Sequence, residues 1–215
     1  MTIINQFEKR CSVCGKTSMQ PVLSSTNSWG YPDLDLRPAP MKRDTMNTWL
    51  MECPHCKYVA IRLENELEVS PNLLKSDEYM TCDGHDFKSD LSKRFYRHYL
   101  ISKAKKDYRS MFFSLLHCAW TCDDADDRLA VEIRKKAADS IDLFEADGDE
   151  KDNLKIMKAD LFRRSLQFDR VADEFNDFRS DDDLLNSIIR FQIERAIMKD
   201  SACYTVGYVK GEDFY

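Results

Sequence analysis

The sequence predicts an α+β chain, mainly α, with a small cysteine-rich unit at its N-terminal end and antiparallel helices after it. Three observations predict this. Two Cys-x-x-Cys turns, "CSVCG" at 11–15 and "CPHC" at 53–56, stand inside the first third of the chain. Short alternating runs flank the second turn, as β-strands do. From about Leu91 onward the apolar residues recur at helical spacing.

The 215 residues suffice for one domain with a real core or two small ones. With 43% hydrophobic and 33% charged residues, the chain has enough apolar mass to fold and is expected to be soluble. A net charge of −6 argues against a general nucleic-acid binder, because phosphate affinity comes from Lys and Arg. No run of apolar residues has membrane-spanning length, and "MTIINQFEKR" lacks the charged-then-apolar pattern of a signal peptide. The expected compartment is the cytoplasm, where thiols stay reduced, so eight cysteines need an explanation other than disulfides.

Four of them have one. Each Cys-x-x-Cys turn brings two thiolates to one ion, and two turns complete the tetrahedral sulfur shell that Zn²⁺ favours. The expected ligands are Cys11, Cys14, Cys53 and Cys56, holding one structural zinc. A single pair would leave a redox dithiol open; two pairs, the second set between strand-like runs, point to metal. Gly15 follows the first pair, where a tight turn wants positive φ, while the second turn has Lys57 there. His55 should point outward. "TWLMEC" (48–53) and "YVAIRL" (58–63) form the strands of a hairpin facing the first turn, which is the plan of a zinc ribbon. "SWGYPDLDLRPAP" (28–40) between the turns reads as an irregular excursion. A closed four-thiolate shell folds its domain and does not catalyse.

Of the other four cysteines, two suit packing. Cys118 and Cys122 share a helical stripe with Met111 and Leu115, Cys82 and His85 lie in a loop, and Cys203 has no partner in sequence.

Six helices are expected between 91 and 200. The first carries Leu91, Phe95 and Tyr99 on one face. Asp107 caps the second, "YRSMFFSLLHCAWTC", which is apolar nearly all round and should be the most buried. "DDADD" starts the third, with Ile133, Ala137 and Ile141 inward and Gly148 at its end. Met157 and Leu161 face inward on the fourth, and Val171 and Phe175 on the fifth. Ser180 and Asp183 form a capping box for the sixth. Connections of a few residues make neighbours antiparallel.

At "KADLFRRSLQFDRVADEF" (158–175) the chain is similar to the turn of a tetratricopeptide (TPR) repeat, with Phe168, Val171 and Phe175 at its aromatic, small and aromatic positions. "KKDYRSMFFSLL" (105–116) lies on the same frame through Tyr108, Met111 and Leu115, although Met111 is large where the repeat is small. With the two cysteine turns and "LLHCAWTCDD" (115–124), the chain resembles a bacterial family of unknown function that pairs an N-terminal zinc ribbon with TPR-like helices. The resemblance implies a zinc ribbon followed by a TPR-like antiparallel helical array, and no reaction. The division expected is a zinc-ribbon domain at 1–68, a linker at 69–90, a TPR-like domain at 91–200 and a tail at 201–215, with separate cores for ribbon and helices. Tyr204, Val206, Tyr208, Val209, Phe214 and Tyr215 give the tail enough apolar surface to dock.

No nucleophile motif, phosphate loop or HExxH helix is present, so no catalytic or cofactor-binding residue is assigned. The four histidines have no matched partners, and His117 should be hydrogen-bonded in the core. The carboxylates at 123–127 and 181–183 read as helix-start charges. The first functional expectation is an interaction scaffold for a protein or peptide partner. The alternative is a nucleic-acid-binding regulator, using the ribbon and the basic strip of Lys88, Lys93, Arg94, Arg97, Lys103, Lys105, Lys106 and Arg109. No membrane partner is expected, and the sequence sets no oligomeric state.

Overall fold

A computed structural model describes residues 1–212. Two hairpins carry the cysteine turns. The first joins β1 (Ile3–Arg10) to β2 (Thr17–Ser25), antiparallel with Arg10 opposite Thr17. It is far longer than the second, β3 (Met51–Glu52) and β4 (Val59–Ala60), where Met51 pairs with Ala60. The second hairpin was legible in the alternation of 48–63, but its strands are two residues each and not the six-residue runs expected at 48–53 and 58–63, Thr48 closing a 3-10 turn instead. The first was not, because β1 is exposed on both faces and so shows no alternation.

A 3-10 turn at Arg43–Thr48 packs beside β2. After a second 3-10 turn at Pro71–Lys75 comes α1 (Asp77–Met80), whose Tyr79 is fully buried and donates to the Lys57 carbonyl at 2.7 Å. This bond pins the second cysteine turn from behind.

The helical body begins with α2 (Asp90–Lys105) and α3 (Tyr108–Asp124). Asp107 caps α3 by accepting from the Ser110 N–H at 3.0 Å, as expected. α3 buries Met111, Leu115, Leu116, Cys118, Ala119 and Cys122 and is the centre of the molecule. α4 (Leu129–Ser140) runs into a 3-10 turn at Ile141–Leu143; α5 (Asp149–Arg164), α6 (Phe168–Phe175) and α7 (Asp183–Ile197) follow. Consecutive helices contact one another, and α5 also contacts α7. The expected stripes are inward: Ile133, Ala137, Ile141, Leu161, Val171, Phe175, Ile188 and Ile189 are all buried.

Three caps differ from expectation. Asp123 and Asp124 finish α3 and do not start α4; of the acidic run only Asp127, two residues ahead of α4, meets its first turn, accepting from the Leu129 N–H at 3.1 Å. Arg134, Arg164 and Arg37 hold Asp123 and Asp124 at that otherwise unfavourable C-terminal end. Gly148 has positive φ but stands just ahead of α5 instead of closing α4. Asp182, not Ser180, caps α7, accepting from Leu184 and Leu185, while Ser180 accepts from Asp182.

Ribbon and helices do not have separate cores. Leu50, Met51, Val59 and Leu63 belong to the same buried cluster as Phe95, Leu115 and Phe162. Part of the tail joins them: α8 (Val206–Lys210) packs on α7, Val206 is buried, and Tyr204 meets the Phe191 ring edge-on at 4.9 Å. Phe214 and Tyr215 lie outside the described residues.

Candidate metal centre and its surroundings

The two cysteine turns are built alike. In the first, the Gly15 N–H donates to the Cys11 carbonyl and the Cys11 N–H to the Lys16 carbonyl, both at 2.9 Å. In the second, Lys57 donates to Cys53 at 2.9 Å and Cys53 to Tyr58 at 2.8 Å. Each turn closes through a left-handed residue, Gly15 at φ 72 and Lys57 at φ 62. The turns are held face to face by the Ser12 N–H on the Leu63 carbonyl at 2.9 Å and the Gln20 amide on the Glu52 carbonyl at 3.1 Å.

The result brings together the four residues singled out by spacing. The Sγ atoms of Cys11, Cys14, Cys53 and Cys56 all lie within 4.8 Å of one another. Cys11 to Cys56 and Cys14 to Cys53 are each 3.6 Å. Four sulfurs bound tetrahedrally to one ion at about 2.3 Å would stand about 3.8 Å apart, so the thiols already mark the corners of such a shell. They are the one group of metal-ligand type found among the described residues. Cys11 and Cys53 are buried, and burial pushes the Cys11 and Cys56 thiols up. A cation at the centre offsets that cost by stabilising thiolates. His55 is exposed and points away.

The excursion between the turns does more than expected. Asp35 is fully buried: it accepts the Trp120 indole N–H at 2.7 Å and an Arg164 N–H at 3.3 Å. Burial, then the neighbouring Asp160, raise its carboxyl above the usual range against the pull of Arg164 and Arg134. Arg37 grips Asp124 with 2.6 and 2.8 Å contacts, and Asp33 accepts from Arg43 at 2.7 Å. Burial pushes Asp123 up, but Arg134 and Arg164 outweigh it and hold the carboxyl below its usual range. The alternation of charged residues with leucine in "DLDLRP" was the available signal. On its own, a short charged run is more often a solvated loop.

The C-terminal segment completes this junction. Asp33 bridges Thr205, the Leu34 N–H donates to the Tyr204 carbonyl at 2.9 Å, and the Val206 N–H to the Pro32 carbonyl at 2.9 Å. Arg163, fully buried, donates to the carbonyls of Asp200 and Ala202 at 2.8 and 2.7 Å and to Asp160 at 2.8 Å.

A cleft of about 180 Å³ opens where the ribbon meets α2 and α3, lined by Trp49, Ile61, Phe95, Phe113, His98 and His117. It continues past Ile61, His98 and Ser110 into a second hollow of about 390 Å³ bearing Glu66, Glu68 and Asp107. His98 bonds Ser114 at 2.6 Å, and burial brings it down to about 4. His117 is not hydrogen-bonded among the described residues; it packs against the rings of Trp49, Phe95, Phe113 and Trp120, and burial brings it down to about 3. Both imidazoles are neutral at physiological pH.

Most of the basic strip is paired within the chain, although Lys88, Lys103, Lys105, Lys106 and Arg109 stay exposed and the Lys106 side chain has no partner among the described residues. Arg94 donates to the Asn47 and Leu50 carbonyls, both at 3.1 Å, and Arg97 to Glu52 at 3.2 Å, binding α2 to the ribbon. Lys93 pairs with Asp90, Lys103 with Glu78, Lys105 with Glu68 and Arg109 with Glu150, while Lys88 reaches the Asp126 carbonyl. Cys118 and Cys122 are placed as their shared stripe suggested, whereas Cys82, read as a loop residue, is buried as well. Cys82, Cys118 and Cys122 are buried, and Cys203 is exposed. His85 does have a partner: its Nε2 lies 2.9 Å from a carboxylate oxygen of Glu132. No helix among the described residues is long and apolar enough to cross a membrane.

Comparison of the chain with protein-family models, with curated proteins and with solved structures gives no match.

Proposed function

We propose that the protein is a cytoplasmic interaction scaffold whose four cysteines hold one structural zinc, and whose TPR-like helical array presents a cleft to a peptide partner. The observation that carries this is the set of four thiols at the corners of a tetrahedron, closed by two matching turns and packed against the helices through one core. All four corners are sulfur, which favours Zn²⁺ over harder divalent ions and leaves no open position for a substrate. The metal's work is then to fix the wall of the cleft formed by Trp49 and Ile61. An apolar pocket beside Glu66, with Glu68 already held by Lys105 and Asp107 capping α3, suits an extended segment with an aliphatic or aromatic anchor followed by a Lys or Arg. The nucleic-acid alternative is less well supported, because most of the cations it needs already have carboxylate partners within the chain and the net charge is −6.

Elemental analysis of freshly reduced protein tests the metal: one zinc per chain is expected, and none in Cys53→Ser. A Phe113→Asp variant tests the cleft. It should keep its zinc and lose the peptides selected from a random display library by the wild type. Selected peptides without an apolar-then-basic pattern would refute the partner assignment while leaving the zinc standing.

A further inference from the structure

β1 has one edge covered by β2 and, among the described residues, no strand on its other edge. Three contacts show which of its groups face outward. Pro21 stands opposite Gln6 and has no N–H to give. A proline fits a ladder where its nitrogen points away from the paired strand, so Gln6 and Pro21 exchange no hydrogen bonds. Just beyond the strand, Cys11 sends its N–H across the hairpin to Lys16, and Ser12 sends its N–H the other way, to Leu63. Alternation therefore turns the N–H and C=O groups of Ile4, Gln6, Glu8 and Arg10 to the open edge. The register is unbroken between Ile4 and Arg10, with neither a proline nor a bulge of the kind that blunts exposed edges.

The edge has defined ends. The register slips between Ile3 and Ile4, and Leu63 fills the edge at Ser12. An added strand has room from Ile4 to Arg10.

We propose that this edge is filled by β1 of a second copy of the chain, making a two-fold dimer. In an antiparallel pair, outward-facing residues stand opposite outward-facing residues, so between identical strands the axis passes through a residue. With the axis at Phe7, Ile4 lies opposite the partner's Arg10 and Gln6 opposite the partner's Glu8. Every outward group of the edge is then bonded. An axis at Gln6 leaves Arg10 unpaired, and one at Glu8 leaves Ile4 unpaired and sets two carboxylates face to face. The Phe7 axis makes the two phenyl rings a pair without mutual hydrogen bonds, the kind in which side chains lie closest. Phe7 is 48% exposed and Ile4 38% exposed in the single chain, so the pairing covers apolar surface as well. The two Glu8 side chains fall on a diagonal, roughly 7–8 Å apart, where solvent screens them. The product is a four-stranded antiparallel sheet in the order β2, β1, β1, β2. It does not depend on the metal or on the peptide cleft.

Sedimentation equilibrium of the full chain should give twice the chain mass at about 100 µM, a concentration that populates even a weak dimer. Gln6→Pro removes an outward N–H without touching a β1–β2 bond, and should give a monomer with unchanged circular dichroism and metal content. In a Cys203→Ser background, Phe7→Cys should form disulfide-linked dimers on mild oxidation much faster than Gln6→Cys, whose thiols would sit on a diagonal. A wild-type monomer at that concentration, a dimer that survives Gln6→Pro, or equal cross-linking at the two positions would each overturn the proposal.

Discussion

Trp120 donates its indole N–H to Asp35 across 2.7 Å, joining the middle of α3 to the excursion between the cysteine turns, 85 residues earlier in the chain. Replacing Asp35 with Ala strands this donor and deprives Arg164 of an acceptor in a buried site. The expected loss is about 3–5 kcal/mol. Asp35→Asn keeps an oxygen for the indole and should cost clearly less. Urea denaturation of the two variants checks the order.

Buried neutral imidazoles make stability depend on pH. His98 and His117 fall from an ordinary 6.5 to about 4 and about 3 in the folded protein. Each binds a proton more readily when unfolded. The stability they confer is therefore full above about pH 6.5 and is lost as pH falls toward 4. The expected drop is on the order of 3 kcal/mol for each histidine between those limits. A His98→Gln, His117→Phe double variant should flatten the slope in that window. An unchanged slope would show that other groups set it.

Losing the metal should be felt throughout the chain. Leu63 beside the first turn and Leu115 on α3 are members of one cluster. Cys53→Ser should lower the melting temperature of the whole protein in a single calorimetric transition. A second, unshifted transition would mean that the helices melt alone.

Lys57 adopts a left-handed backbone at φ 62, where Gly15 stands in the matching turn at φ 72. A side chain there costs about 1 kcal/mol. Lys57→Gly removes that cost and loses a contact with Glu52 at 3.1 Å, worth a few tenths of a kcal/mol. A net gain of about 0.5 kcal/mol is expected in thermal melts. Gly15→Ala should go the other way.

Truncation after Asp200 should be severe. It removes the Ala202 carbonyl from the fully buried Arg163 and takes Tyr204 and Val206 out of the core. A loss of about 3 kcal/mol or more is expected, read as a lower denaturant midpoint.

What the sequence disclosed follows from how local each signal is. Cys11, Cys14, Cys53 and Cys56 were legible because metal geometry imposes a spacing that survives without any knowledge of the fold. The stripes of α3 and α5 were legible because burial on one face repeats at helical period. β1 was missed because a strand bathed by solvent on both faces has no reason to alternate. Asp35, Arg37 and Arg164 were missed for a different reason. Their meaning lies in partners more than 80 residues away, and nothing within the window of a turn or a helix marks Asp35 as buried. The shared core escaped notice likewise, since Leu50 and Val59 look the same whether they face a small ribbon or a long helix.

The backbone bonds from Leu34 to Tyr204 and from Val206 to Pro32 carry a consequence for how the chain is made. A ribosome delivers residues in order, and domains begin to fold as they emerge. The cysteine turns can close as soon as Cys56 is out. The excursion between them cannot take its final seat until residue 206 has been synthesised, some 150 residues later. During that interval Asp35 waits for Trp120 and Arg164, and Arg37 for Asp124, and the stretch from 28 to 40 keeps its last backbone bonds unmade. The last strand-like bridge, Asp33 to Thr205, acts as a latch that shuts only once Thr205 has been made.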